Sequence, residues 1–236
     1  VPDLPLMDYG AYPMKKSQNV VPVGYEDIWA PVLGKFGNPE YVKSMRERRV
    51  KYGEEYGFYV CGSMPRADGK GKPFIKIFEP WIGVRLLPWY AWKYRCDHFL
   101  IFMLFTGLPK PGWPEKHPAV SSNFGYSPLI YPGPNHTFIA SIRLNALRDG
   151  MEDYEYFNKL HRMSAYLDPK FKPHKKLLDE ITAATEVTSD ICANPSIWTR
   201  DVEKLDDRRA KLGGLIIATQ KAIDAYPQSR LDLNVK

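Results

Sequence analysis

The sequence predicts an α/β protein, with about four parallel strands separated by helices and a helical tail after them. Three observations predict this. Short apolar runs alternate with helix-periodic segments between residues 25 and 140. A strand, a Gly/Pro turn and a long helix follow one another over residues 129–160. Two more periodic segments, 173–191 and 199–226, then follow. Strands alternating with helical segments are the pattern of βα units and a parallel sheet.

Residues 1–24 are rich in Pro and polar residues, and Leu4 to Tyr9 reads as a strand or an extended arm. Tyr25 to Leu33 holds a short strand ending at Pro31. Glu40 to Tyr56 reads as a helix with Tyr41, Met45, Tyr52 and Tyr56 on its buried side. Gly57 to Cys61 is the next strand, and the Gly- and Lys-containing stretch 62–72 is a loop. Arg85 to Tyr94 is a Trp-rich helix and Asp97 to Phe105 a strand. Thr106 to Ser127 is a long Pro-rich loop, and Ser127 to Tyr131 is the last strand.

From Ser141 onward the pattern is helical. Leu144, Leu147, Met151, Tyr154, Phe157, Leu160 and Met163 recur every three or four residues and form one apolar stripe. Ser141 stands where its hydroxyl can cap free backbone N–H groups. Arg143, Arg148, Asp149, Glu152, Asp153 and Glu155 form a charged opposite face, where Glu152 and Asp153 are expected to pair with Arg148 and its neighbours. In the last segment Val202, Leu205, Leu212, Ile216, Thr219 and Ile223 form a stripe, with Thr199 placed to cap it. Gly213-Gly214 inside that helix costs about 1 kcal/mol per Gly relative to Ala, which predicts close packing against a neighbour. Two regions follow: a βα region, 1–140, and a helical region, 141–236, packed on it.

The composition excludes several classes. No window approaches the roughly 18 consecutive apolar residues of a membrane-spanning helix. The net charge of +6 is spread over 236 residues. Its one cluster, Arg46, Arg48, Arg49 and Lys51, shares a predicted helix with Glu40 and Glu47 and reads as a solvated face. With no zinc-finger, RNP or helix-turn-helix signature, nucleic acid is not an expected partner. Cys61, Cys96 and Cys192 are an odd number with no CxxC, which is neither a disulfide framework nor a zinc site. His98, His117, His136, His161 and His174 show no HxH or HExxH spacing, so neither metal nor cofactor is expected. The sequon Asn135-His136-Thr137 matters only in a secreted chain. Opening on Val1 without Met reads as a processed or truncated product, and a secreted or otherwise processed compartment is favoured. Aromatic residues make up 14% of the chain, enough both to fill a core and to stack on sugar rings.

Four motifs in order carry a family resemblance: Asp27-Ile28-Trp29-Ala30-Pro31; Tyr59-Val60-Cys61; Arg85-Leu86-Leu87-Pro88-Trp89 with Ala91-Trp92-Lys93-Tyr94, Asp97 and Phe99-Leu100; and YPGP at 131–134 followed by the helix from Ser141. Together they resemble the domain of unknown function 4091, found in proteins related to glycoside hydrolase family 123. The resemblance implies the C-terminal half of a TIM-like (β/α)8 barrel, followed by the helical tail. It further implies a carbohydrate-active protein with an N-acetylhexosaminide-type substrate, whose acetamido group acts as nucleophile assisted by an Asp-Glu pair. That pair belongs to the first half of the barrel and has no match here. Where the family runs Asp-Gly-Phe-Leu-Tyr-Trp, this chain has Asp97-His98-Phe99-Leu100-Ile101-Phe102.

Barrel sites form at strand ends, so the candidate residues are Asp27 as a catalytic carboxylate and Trp29, Tyr59 and Tyr131 as sugar-binding rings. Against these stand a turn-capping Asp27 and a core Trp29. Asp97 precedes its strand and is expected to be structural. Four strands cannot close a barrel, which takes eight strands and roughly 250 residues. The chain is therefore expected against another polypeptide, either a second copy or the missing half. Two readings stay open: a glycoside hydrolase-like fragment or subunit without its acid pair, and a non-catalytic assembly subunit derived from the same fold.

Overall fold

The computed structural model describes residues 7–8, 27–60, 75, 79–101, 129–133 and 137–225. The expectations for the rest of the N-terminal arm, the loops 62–72 and 106–127, Cys61 and the sequon lie outside the described residues.

Strands β1 (Met7–Asp8), β2 (Ile28–Trp29), β3 (Glu55–Val60) and β4 (His98–Ile101) form a four-stranded sheet in that order, every pair parallel. The expected number of parallel strands is present, but one member differs. Strand β5 (Ile130–Pro132) pairs antiparallel with β6 (Phe138–Ala140), and the arm strand β1 takes the fourth place in the sheet. The connection explains the change. The Gly133 N–H donates to the Thr137 carbonyl at 2.7 Å, closing a tight turn. A short turn joins antiparallel neighbours, whereas a parallel pair needs a long crossover.

Helix α1 (Pro39–Tyr52) starts where Asn38 Oδ1 accepts from the Glu40 N–H at 3.0 Å and Pro39 fills the first turn. It ends at Tyr52 because Gly53 turns into the left-handed region, φ 73°. The helix predicted to reach Tyr56 is therefore shorter. Tyr52 is exposed, and Tyr56 sits in β3 with its hydroxyl donating to the Tyr94 carbonyl at 2.8 Å.

Helix α2 (Ile82–Tyr94) is the spine of the molecule, buried along its length except at Lys93. It is bonded to two segments of the described C-terminal region. Trp92 Nε1 donates to the Thr185 carbonyl at 2.8 Å, and the Tyr90 hydroxyl to the Asn194 carbonyl at 3.0 Å. Helix α3 (Ile142–Ser164) lies directly on it, capped as expected by the Ser141 hydroxyl, which accepts from the Leu144 N–H at 3.3 Å. Phe157 of α3 fits between Trp89, edge-on at 4.9 Å, and Trp92, stacked at 5.4 Å. A Cβ on Gly150 would lie 2.2 Å from the Arg85 carbonyl oxygen, so only glycine lets the two backbones approach this closely.

The buried face of α3 is rotated from the predicted stripe. Arg143, Ala146, Gly150, Asp153, Phe157 and Leu160 are buried, whereas Leu144, Leu147 and Tyr154 are half-buried and Met151 is 42% exposed. Asp153 is the cause. Instead of lying on the charged outer face, it is 0% exposed. Its Oδ2 accepts from Arg85 Nε at 2.8 Å and Trp89 Nε1 at 3.0 Å, and its Oδ1 accepts from Arg209 Nε. Arg85 also reaches Asp206 at 2.7 Å. Burial pushes the Arg85 pKa down, but the bonds and charges of Asp153 and Asp206 outweigh it and raise it. Glu152 does lie outside, pairing with Arg148 at 3.7 Å and Arg209 at 3.1 Å.

The tail holds α4 (Lys172–Thr185), the short α5 (Ser189–Cys192), the hairpin of β7 (Ala193–Asn194) and β8 (Ile197–Trp198), and α6 (Glu203–Ala225). Capping of α6 is a relay. Thr199 Oγ1 accepts from the Asp201 N–H at 3.1 Å, and Asp201 Oδ1 from the Glu203 N–H at 3.0 Å. Of the glycine pair only Gly213 is closely packed: a Cβ there would lie 3.4 Å from the Tyr156 ring, while one on Gly214 meets nothing within 4 Å.

Two expectations follow for urea unfolding. Leu160, fully buried, should lose about 2–5 kcal/mol on Leu160→Ala, and the half-buried Leu147 clearly less on Leu147→Ala. Asp153→Ala should cost about 3–5 kcal/mol, because it strands Arg85 as a buried, half-paired cation.

Candidate functional site

The register of the sheet sorts its residues onto two faces. Ile28 stands beside Glu55, Gly57 beside His98, and Tyr59 beside Leu100. Side chains alternate along a strand, so these residues share one face, and Trp29, Tyr56, Phe58, Val60, Phe99 and Ile101 share the other. Packing agrees. The second set belongs to the hydrophobic core or packs against it, under α1 and α2, whereas Ile28, Tyr59 and Leu100 do not join that core. Ile28, Tyr59, His98 and Leu100 are half-buried and Glu55 is exposed. We call this the open face.

Tyr59 lies on the open face near the C-terminal end of β3, its backbone N–H held by the Pro31 carbonyl at 2.9 Å. Trp29 lies on the helix side and is 1% exposed. Its Nε1 donates to Glu54 at 3.0 Å, and the Arg48 guanidinium lies 4.9 Å from the centre of its ring. Arg48 also grips Glu54 with two bonds of 2.6 Å. That indole is built into the layer between sheet and helix, so among the described residues Tyr59 is the strand-end ring on the open face. Asp27 precedes β2, and its carbonyl accepts from the Glu55 N–H at 2.8 Å. It therefore stands at the N-terminal ends of the strands, opposite to the end the sequence suggested. Asp97 is at that same edge, bound to the Tyr56 N–H at 3.0 Å and to Arg49, as its structural assignment expects. Tyr131 is half-buried in the separate β5–β6 hairpin.

His98 is the residue that sequence reasoning passed over. It was visible only as an oddity, a His after Asp97 where the family carries Gly. Its partner across the strands is Gly57, and a Cβ there would lie 2.5 Å from its Cδ2 and 2.7 Å from its Nε2. The imidazole thus occupies the space that Gly57 leaves. Its Nε2 is buried without a hydrogen-bond partner. Burial lowers the His98 pKa, and the nearby charges of Asp97 and Glu55 and a hydrogen bond to the Trp29 backbone offset this only in part.

The two described cysteines have no catalytic environment. Burial pushes the Cys192 thiol up to about 12 and raises that of Cys96 as well, so neither supplies a thiolate at neutral pH. Among the described residues no group of His, Cys, Asp and Glu is arranged to hold a metal ion, and no helix is long and apolar enough to cross a membrane.

Residues 16–160 match the sequence profile of the catalytic domain of glycoside hydrolase 123, which is more than half of the 236 residues. The chain belongs to the glycoside hydrolase 123 catalytic domain family. The resemblance read from its motifs holds at the level of this family. Among solved structures, a family 123 glycoside hydrolase from Clostridium perfringens, studied for glycolipid glycan hydrolysis, is similar at 17% identity and a TM-score of 0.49, over 86% of this chain and 34% of that one. The chain thus spans about a third of that enzyme's length. No curated protein matches it.

His98 sets a pH expectation. A histidine whose folded pKa lies below its unfolded value of about 6.5 stabilises the fold fully above that value and loses the contribution as pH falls through it. Chemical denaturation between about pH 7.5 and pH 5 should show stability falling with acid, and the slope should flatten in His98→Gln.

Proposed function

We propose that this family 123 chain forms the C-terminal half of a (β/α)8 barrel, residues 1–140, backed by the helical region 141–236, and that its open face is part of the wall of a saccharide cleft. The observation that carries the reading is the two-sided sheet. One face is sealed under α1 and α2, and the other presents Tyr59 and His98, half-buried, beside Leu100. Parallel sheets are normally covered on both faces, so a parallel sheet with helices on one face only among the described residues points to further strands on the other. Those strands come from another stretch of polypeptide or from a second copy of this chain. Sedimentation at micromolar concentration should show association burying well over ~1,000 Å² in total; a compact monomer with a cooperative melt speaks against it.

The substrate class follows the family resemblance, an N-acetylhexosaminide bound with Tyr59, and with Tyr131 from the hairpin, stacking on a pyranose face. Trp29 supports that wall from behind through Glu54 and Arg48. The chemistry needs two carboxyl groups at the site. Among the described residues Glu54 and Asp153 are committed to arginines, Asp27 and Asp97 stand at the N-terminal ends of the strands, and Glu55, the first residue of β3, is the carboxylate on the open face. This arrangement favours the second reading, a subunit that binds or assembles without hydrolysing. We therefore expect the chain alone to show no turnover of aryl N-acetylhexosaminides, and Tyr59→Ala to weaken saccharide binding in calorimetric titration. Turnover that disappears in Asp27→Asn would reinstate Asp27 as the catalytic carboxylate.

A further inference from the structure

A crevice of about 510 Å³ opens on the helix side of the sheet, between α1, the C-terminal end of α2 and the β7 segment. That size suits one small molecule. Its apolar wall is made by Phe36, Val42 and Tyr94, all firmly buried in the core behind it. Three cations, Lys43, Arg46 and Lys93, line it with one carboxylate, Glu47.

Those charges do not balance. Lys43 and Glu47 neutralise each other as an exposed pair at 3.9 Å. Arg46 lies beside the Tyr56 hydroxyl, a neutral group that itself donates to the Tyr94 carbonyl. Lys93 is half-buried, and its Nζ donates to the Val187 carbonyl at 3.1 Å and the Cys192 carbonyl at 2.7 Å. An ammonium carries three donors, which leaves one unused. Among the described residues neither Arg46 nor Lys93 pairs with a carboxylate. Lys93 is partly withdrawn from water, where a charge is ordinarily paired, and the exposed Arg46 lines the same crevice. Two cations set around an apolar wall in a molecule-sized crevice select for an anion that also carries an apolar body.

We propose that this crevice binds a small organic anion, a carboxylate or phosphate on a flat apolar group, with Arg46 and Lys93 holding the anion and Phe36, Val42 and Tyr94 packing the body. The proposal is independent of the saccharide reading, because the crevice and the open face lie on opposite sides of the sheet. Calorimetric titration of the full chain with phenyl phosphate, benzoate, inorganic phosphate and benzyl alcohol tests it. Phenyl phosphate and benzoate should bind in the millimolar range or tighter, and the other two more weakly. The exposed Arg46→Gln, with its fold checked by circular dichroism, should weaken binding about tenfold, the scale of one charge-assisted bond. No binding of phenyl phosphate, or equal binding by Arg46→Gln, overturns the site. Equally tight inorganic phosphate reduces it to a patch of cations, and equally tight benzyl alcohol to an apolar dent. Either result refutes the proposal.

Discussion

Asp153 lies fully buried where α2, α3 and α6 meet, and its one negative charge determines what each of those helices carries there. An isolated carboxylate in the interior would cost several kcal/mol. Here it is surrounded by Arg85 and Trp89 from α2 and by Arg209 from α6. Asp206 accepts a further bond from Arg85 and brings the second negative charge that balances Arg209. Because a guanidinium presents its donors in a fixed plane, this ring of bonds sets the rotation of each helix as well as its distance. Gly150 fixes the separation of α2 and α3 from the other side, one turn away from Asp153 on the same face.

The helix clamp holds the sheet from one side only. Its aromatic residues bridge the layers: Phe36 meets Tyr56, Phe58 and Tyr94, and Phe58 stacks on Phe99 at 5.7 Å. The strands are thus pinned through alternate residues, Phe58 turned into the aromatic layer and Tyr59 to the other face.

The parts legible in sequence were those set by local chemistry. Ser141 announces its helix, and the expected mixture of strands and helices is present. What failed depended on partners distant in sequence. The stripe from Leu144 to Met163 placed the helix correctly but rotated its buried face, because a buried Asp153 looks like a surface charge until Arg85 and Arg209 are beside it. Tyr56 continues the helical spacing of Tyr41, Met45 and Tyr52, and only the left-handed turn at Gly53 takes it out of that helix. Trp29 sits at a strand end, but which way it faces is a matter of register, which β3 supplies. His98 showed in sequence only as a departure from the family's Gly, since its meaning lies in the missing side chain of Gly57 on another strand.

The clamp also orders events in time. Arg85 and Asp153 are 68 positions apart, and Arg85 and Asp206 are 121 apart. A chain emerging from the ribosome through α3 can already join α2 and α3 through Arg85 and Asp153. Arg209 and Asp206 arrive last, with α6. Until then Asp153 lacks the bond from Arg209 and Arg85 the bond to Asp206, and the apolar surface of α3 that α6 later covers is open to water. Closing such distant contacts is slow, since the loop between them must be ordered first. The tail therefore acts as the final fastening of the fold, and the interval before it docks is when the young chain is most exposed to wrong partners.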